Sequence, residues 1–328
     1  MTSSSNQLLA RVSAAHLISH LHIMTVPAML PLLPGTLQVS FLELGVAIGV
    51  FNIVSALVQA PLGFMVDRLG ARKMLMAALA LGTASFGLVA LLPTYFWLLV
   101  AMGLAGLANG VYHPADYSLL SRGMPSGRMG RAFSIHTFAG FFGGAIAPPL
   151  MVGVALAFEP RWSFAIAALA GLMALVFVAS GSALRAPEKS QPAEGPRPRE
   201  AAGRPRSTAI ATLALLTLLF TLLSLSTGAI ERFSVSALVQ GFDVPLSVAN
   251  LALTCFLFAS AFGVLAGGVL ADRTERHGDV AAVAFALAAV FVMVVIMVPL
   301  PSPVLVMVLG LTGFLTGMVA PSRDMLVR

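Results

Sequence analysis

Long apolar runs separated by short polar stretches set the rhythm of this chain. A helix needs roughly 20 predominantly apolar residues to cross a hydrocarbon core. On that template the pattern predicts ten spans, at about 12–33, 41–66, 73–92, 95–121, 131–157, 162–184, 209–233, 245–271, 279–299 and 303–326. One interruption is longer than the rest. Residues 185–208 are rich in Pro, Ala and charge and carry no apolar period, which reads as a hydrophilic linker between six spans and four. The expected units are 1–184, the linker 185–208, and 209–328.

Composition removes the soluble alternatives. Of the residues 58% are hydrophobic and 10% charged, where soluble domains carry about 25% charge. A folded surface has too little room to hide such a chain from water. The net charge of +6 does not point to nucleic acid, because the basic residues sit in short clusters between apolar runs. The one cysteine, Cys255, lies in an apolar run and reads as a small buried hydrophobe. The first apolar stretch has no small-residue cleavage site after it and reads as a retained helix.

Charge location also orients the spans. Of the 19 Lys and Arg residues, all but Arg161 and Arg232 fall on one face of the alternation. The excess of basic residues on cytoplasmic loops places the N-terminus, the linker and residue 328 in the cytoplasm, in a multi-pass protein of a bacterial-type inner membrane.

The two parts look alike. Residues 103–114 and 310–321 both read G-L-x-G-x-x-x-G-x-x-x-P, at an offset of 207; residues 61–72 resemble 266–276 at an offset of 205. Internal repeats of this kind belong to transporter folds.

Between spans two and three stands Gly63-x-x-x-Asp67-Arg68-x-Gly70-x-Arg72-Lys73, echoed as Gly268-x-x-x-Asp272-Arg273 between spans eight and nine. Gly63 and Gly70 suit close helix approach and a tight turn. Asp67 at a helix end caps backbone or pairs with Arg72, tying two elements at the membrane surface. The pattern resembles the loop signature of the major facilitator superfamily. Within it, Gly110-Val111-Tyr112-His113-Pro114 followed by Gly130-Arg131-Ala132-Phe133-Ser134 is similar to the fosmidomycin-resistance type of exporters. Gly140, Gly143, Gly144, Pro148 and Pro149 resemble the Gly/Pro-rich fifth helix of drug–proton antiporters, in a different order; close helix packing explains them equally well.

The resemblance implies an all-α integral membrane fold of major-facilitator-type helical bundles, six spans plus an incomplete second bundle of four. Members have twelve spans, so the counterparts of residues 133–183 are expected to be missing, against the alternative of a true ten-span protein. A partner completing the second bundle is one consequence.

Ionisable groups inside spans face a cavity, a partner or a substrate path. Asn109, His113 and Asp116 stand at i, i+4 and i+7 on span four and share one face, with His136 at the start of span five. They are candidates for proton coupling or gating; otherwise His113 braces the kink at Pro114 and Asp116 pairs with a loop Arg. The repeat matches Asp116 to Arg323, suggesting a gate pair across the halves. His16 and His20 share a face of span one, with His22 off it; no Cys or carboxylate lies near them in sequence, so no metal site is expected. They read as cavity residues, together with Glu231 and Arg232 on span seven, which form either a substrate contact or a structural ion pair.

No nucleophile-elbow, phosphate-loop or metal-hydrolase motif occurs. The chain is expected to be no enzyme, to need no cofactor, and to bind lipid, a small-molecule substrate and protons but no nucleic acid. The expected activity is secondary transport of a small organic solute by alternating access, against the alternative of a non-transporting scaffold or an inactive truncated transporter.

Overall fold

The computed structural model describes residues 3–125, 128–181, 206–271 and 273–325. The described residues form eleven α-helices: α1 (Ser3–Met29), the short α2 (Leu33–Leu37), α3 (Phe41–Leu69), α4 (Ala71–Leu91), α5 (Tyr95–Gly123), α6 (Met129–Ala157), α7 (Pro160–Ala179), α8 (Arg206–Gly241), α9 (Leu246–Ala271), α10 (His277–Met297) and α11 (Ser302–Met325). Ten of these match the ten expected spans. Nine are long and apolar enough to cross a membrane; α1, which carries Arg11 and three histidines, is not among those nine.

The boundaries follow local chemistry. The first span was expected to reach residue 33, but α1 ends at Met29, ahead of Pro31, which has no N–H to continue the ladder. Ser40 caps α3 in a capping box: its hydroxyl accepts from the Glu43 amide (3.2 Å), and Glu43 Oε2 accepts from the Ser40 amide (2.7 Å). The turn between α3 and α4 is a single residue, Gly70, at φ 94°, in the region that favours glycine. The expected seventh span proves longer than 209–233, running as α8 to Gly241. Most of the expected linker lies outside the described residues.

Helix α1 is central to the first six long helices, packing on α4, α5, α6 and α7. Contacts between the two parts run through α6 on α9 and α1 on α8. In the second part α9 packs on α8 and α11, and α11 on α10. Two apolar cores divide the molecule. One contains Leu21 and Met24 of α1 with parts of both halves; the other contains Val12 and Ala15 of α1 with first-half helices only. Residues 16–20 of α1 fall between them. Large apolar side chains such as Leu57, Phe64, Leu91 and Val290 remain exposed on the outer faces, as lipid-facing positions require.

Candidate functional site

The fold gathers five of the expected polar residues into one cluster. Asp116 of α5 is fully buried. Its Oδ2 lies 3.5 Å from Nδ1 of His16 on α1 and 3.7 Å from Nε2 of His136 on α6. The His16 and His136 rings stack with centroids 3.9 Å apart, and the rings of His20 and His113 stand 4.7 and 5.2 Å from that of His16. Sequence reading had set His16 and His20 apart as cavity residues and His113, Asp116 and His136 as a coupling group. The structure brings the two groups together.

Glycines on α6 make this possible. A Cβ on Gly140 would sit 2.5 Å from His16 and 3.0 Å from His20, and one on Gly143 would strike the Leu17 carbonyl. Close packing of α6 on α1 is thus the role these two residues play here. They were the sequence signal for the cluster, because they mark where α1 and α6 approach.

Many polar atoms in the cluster are unpaired. Among the described residues, His16 Nδ1, both Asp116 carboxylate oxygens, both His136 ring nitrogens, His113 Nδ1 and the Tyr112 hydroxyl are buried without a hydrogen-bond partner. The Asp116–histidine separations exceed hydrogen-bond length. Asp116 also does not pair with a loop Arg: its ionic neighbours are helix-borne histidines buried as deeply as itself.

Other candidates are placed elsewhere. Asn109 shares the α5 face with His113 and Asp116, yet its Nδ2 donates to Ser55 Oγ on α3 (2.7 Å) and so lies apart from the cluster. A face that is continuous on one helix meets different neighbours along its length when helices cross. Ser55 was not singled out by sequence, and nothing in its local pattern distinguishes it. His22, off the face of His16 and His20 as expected, donates through Nε2 to the Ala167 carbonyl of α7 (2.9 Å). Glu231 and Arg232 are half-buried on α8, and Arg232 lies within electrostatic range of His20. The side chain of Arg323 lies outside the described residues.

The loop signature needs correction. Asp67 does not pair with Arg72. Its Oδ1 faces Arg122 Nη2 of α5 at 3.8 Å, both side chains well exposed, while Arg72 Nη2 donates to the Ala179 carbonyl of α7 (2.8 Å). Arg72 is drawn inward because the end of α7 leaves a carbonyl without a helical partner. A Cβ on Gly63 would meet Pro114 at an ordinary 3.9 Å, so close approach does not require glycine there. Arg68 and Arg273 are exposed; Asp272 lies outside the described residues. Cys255 is half-buried, beside Gly310.

Comparison with known proteins agrees with this architecture. The chain is 27% identical over 269 residues to the fosmidomycin resistance protein of Escherichia coli K12, covering 82% of this chain and 66% of that protein. It is 26% identical over 269 residues to the uncharacterized MFS-type transporter YfnC of Bacillus subtilis 168, covering 81% and 65%. The matched region thus spans about two-thirds of each relative's length. A crystal structure of a bacterial homologue of the human lysosomal transporter Spinster, inward-facing and occupied, superposes with a TM-score of 0.76 at 14% identity, covering 98% of this chain and 74% of that one. The family model of the Major Facilitator Superfamily matches residues 12–328, and the chain belongs to that superfamily of membrane transporters.

Proposed function

We propose that the chain moves a small organic solute across the membrane by alternating access, driven by a proton gradient, with the Asp116 cluster as the coupling site. The units 1–184 and 209–328 rock against each other about the cavity between them, joined by the 185–208 linker. The bias of basic residues supports a cytoplasmic N-terminus and linker in a bacterial-type inner membrane. The name of the Escherichia coli relative makes fosmidomycin the first solute to try.

The observation that carries this reading is the carboxylate of Asp116, wholly buried and faced by imidazoles from two other helices, α1 and α6. Intramembrane ionisable groups are costly and are kept where they act. The groups nearest the carboxylate are His16 from α1 and His136 from α6, with Tyr112 of α5 in electrostatic range. His20 and His113 pack on the His16 ring, and Arg232 of α8 stands in range of His20. A proton on Asp116 cancels its charge. Proton uptake on one side and release on the other would change how strongly α5 is held to α1 and α6. Arg232 and Glu231, with His20, supply polar contacts for the solute on the cavity side. Asp67, Arg68 and Arg72 serve the cytoplasmic surface, where they latch helix ends.

The test is solute flux in reconstituted vesicles with and without an imposed pH gradient. Flux should rise with the gradient, and Asp116→Asn should remove that dependence while leaving solute exchange without a gradient. Gradient-independent flux in the unaltered chain would sink the coupling reading.

A further inference from the structure

We infer that His16, Asp116 and His136 form a binding site for one late first-row divalent metal ion of the zinc or cobalt type. The argument begins with spacing. The three residues each offer one donor atom, and the three donors lie within 4.8 Å of one another. An ion with bonds of about 2.0–2.2 Å holds tetrahedral ligands roughly 3.3 Å apart. The separations of 3.5 and 3.7 Å about Asp116 Oδ2 are close to that edge. They are too long for the three residues to satisfy one another directly.

Burial supplies the second observation. His16, Asp116 and His136 are 4%, 0% and 1% exposed, and their donor atoms have no hydrogen-bond partner among the described residues. Buried polar atoms are nearly always satisfied, and a cluster of exceptions calls for an occupant. The donor set selects its class. Two imidazoles and one carboxylate suit zinc, cobalt, nickel or copper, whereas calcium and magnesium take mainly oxygen. The carboxylate offsets half of the ion's charge. Three protein ligands leave a fourth position open; the His113 ring packs 5.2 Å from that of His16, and its Nδ1 is also unpaired. Binding requires the stacked rings of His16 and His136, now 25° from parallel, to fan apart around Asp116. The expectation of no metal rested on the lack of a carboxylate near His16 and His20 in sequence. The fold brings one from α5.

One consequence rests on the proposed coupling role: the ion occupies the lone pairs that a proton needs, so its binding arrests gradient-driven transport.

The decisive experiment uses the full chain in detergent, untagged and stripped with a chelator, titrated with Co²⁺ and followed by its visible d–d absorption. A band of four-coordinate intensity should saturate at one ion per chain and be bleached by Zn²⁺. His16→Gln, Asp116→Asn and His136→Gln should each weaken binding at least about 100-fold, the upper end of what loss of an outer-shell contact costs. His277→Gln should leave it unchanged. Zn²⁺ should also raise the melting temperature of the unaltered chain, a readout that needs no variant. No band, a band that survives all three substitutions, or no thermal shift would overturn the site. In vesicles, Zn²⁺ should stop the pH-driven flux. Cobalt binding with flux undiminished by Zn²⁺ would leave the metal site standing and overturn the coupling role.

Discussion

Helices α3 and α5 and their repeat counterparts α9 and α11 meet through the same residues at one point. Gly106 lies on the Phe51 carbonyl, and Gly313 on the Phe256 carbonyl, at the offsets of 207 and 205 that the sequence repeat shows. One turn further on they differ. A Cβ on Gly317 would strike the Ser260 carbonyl, whereas one on Gly110 would stand 3.4 Å from the matching Ser55 carbonyl, held off by Val58 and Leu62. At the positions of Val58 and Leu62 the second half has Gly263 and Gly267, which lie against the Phe314 and Met318 carbonyls. The α9–α11 interface is therefore backbone on backbone, where Cα–H···O contacts and dispersion hold the pair. In the first half the helices part, and Asn109 bonds to Ser55 across the gap. Its counterpart Thr316 turns back to the Gly313 carbonyl of its own helix.

The chemistry follows the same division. His16, His20, His113 and Asp116 correspond to Thr221, Leu225, Ala320 and Arg323. One half of the repeat carries the buried histidine cluster; in the other, Thr221 and Leu225 are exposed, and close packing falls to Gly263, Gly267, Gly313 and Gly317.

The largest test of this contrast is alanine at Gly317 against alanine at Gly110. The first meets a backbone carbonyl that cannot turn away and should cost about 2–3 kcal/mol, the second only the Val58 side chain and about 1 kcal/mol, read from thermal unfolding in detergent. Equal losses would mean that the two interfaces are equivalent. Asn109→Ala comes next. Interhelical hydrogen bonds in membranes average about 0.6 kcal/mol, so a loss of that order is expected, while Thr316→Ala should change stability less. The smallest effect is expected at the surface: Asp67→Asn removes a long, exposed ion pair and should shift stability by well under about 1 kcal/mol. A larger loss would show that the Asp67–Arg122 contact is a structural tie.

Ten helices and the repeat were legible because lipid demands long apolar runs, and duplication leaves matching glycines at matching offsets. The glycine pairs seen as a sequence match at 106 and 313 became the same contact in space. The site was legible only in parts. Periodicity put His113 and Asp116 on one face, but it cannot say which helix lies opposite, so Asn109 was grouped with them although it meets α3. Nor could it unite His16 with Asp116, since that needs α1 seated beside both α5 and α6. Asp67 went to the wrong arginine for a similar reason. Arg72 is near in sequence, yet α7 offers it a bare carbonyl, and Arg122 arrives from α5.

His22 sits where α1 passes between α4 and α7, in space kept free by Gly82 and Gly171, and is bonded to Ala167. Sliding or rolling α1 would strip a buried carbonyl of its donor, a cost of about 1–3 kcal/mol. The bond ties α1 to α7 two turns from His16, so the height of His16 and His20 on α1 is set in part by a contact outside their own cluster.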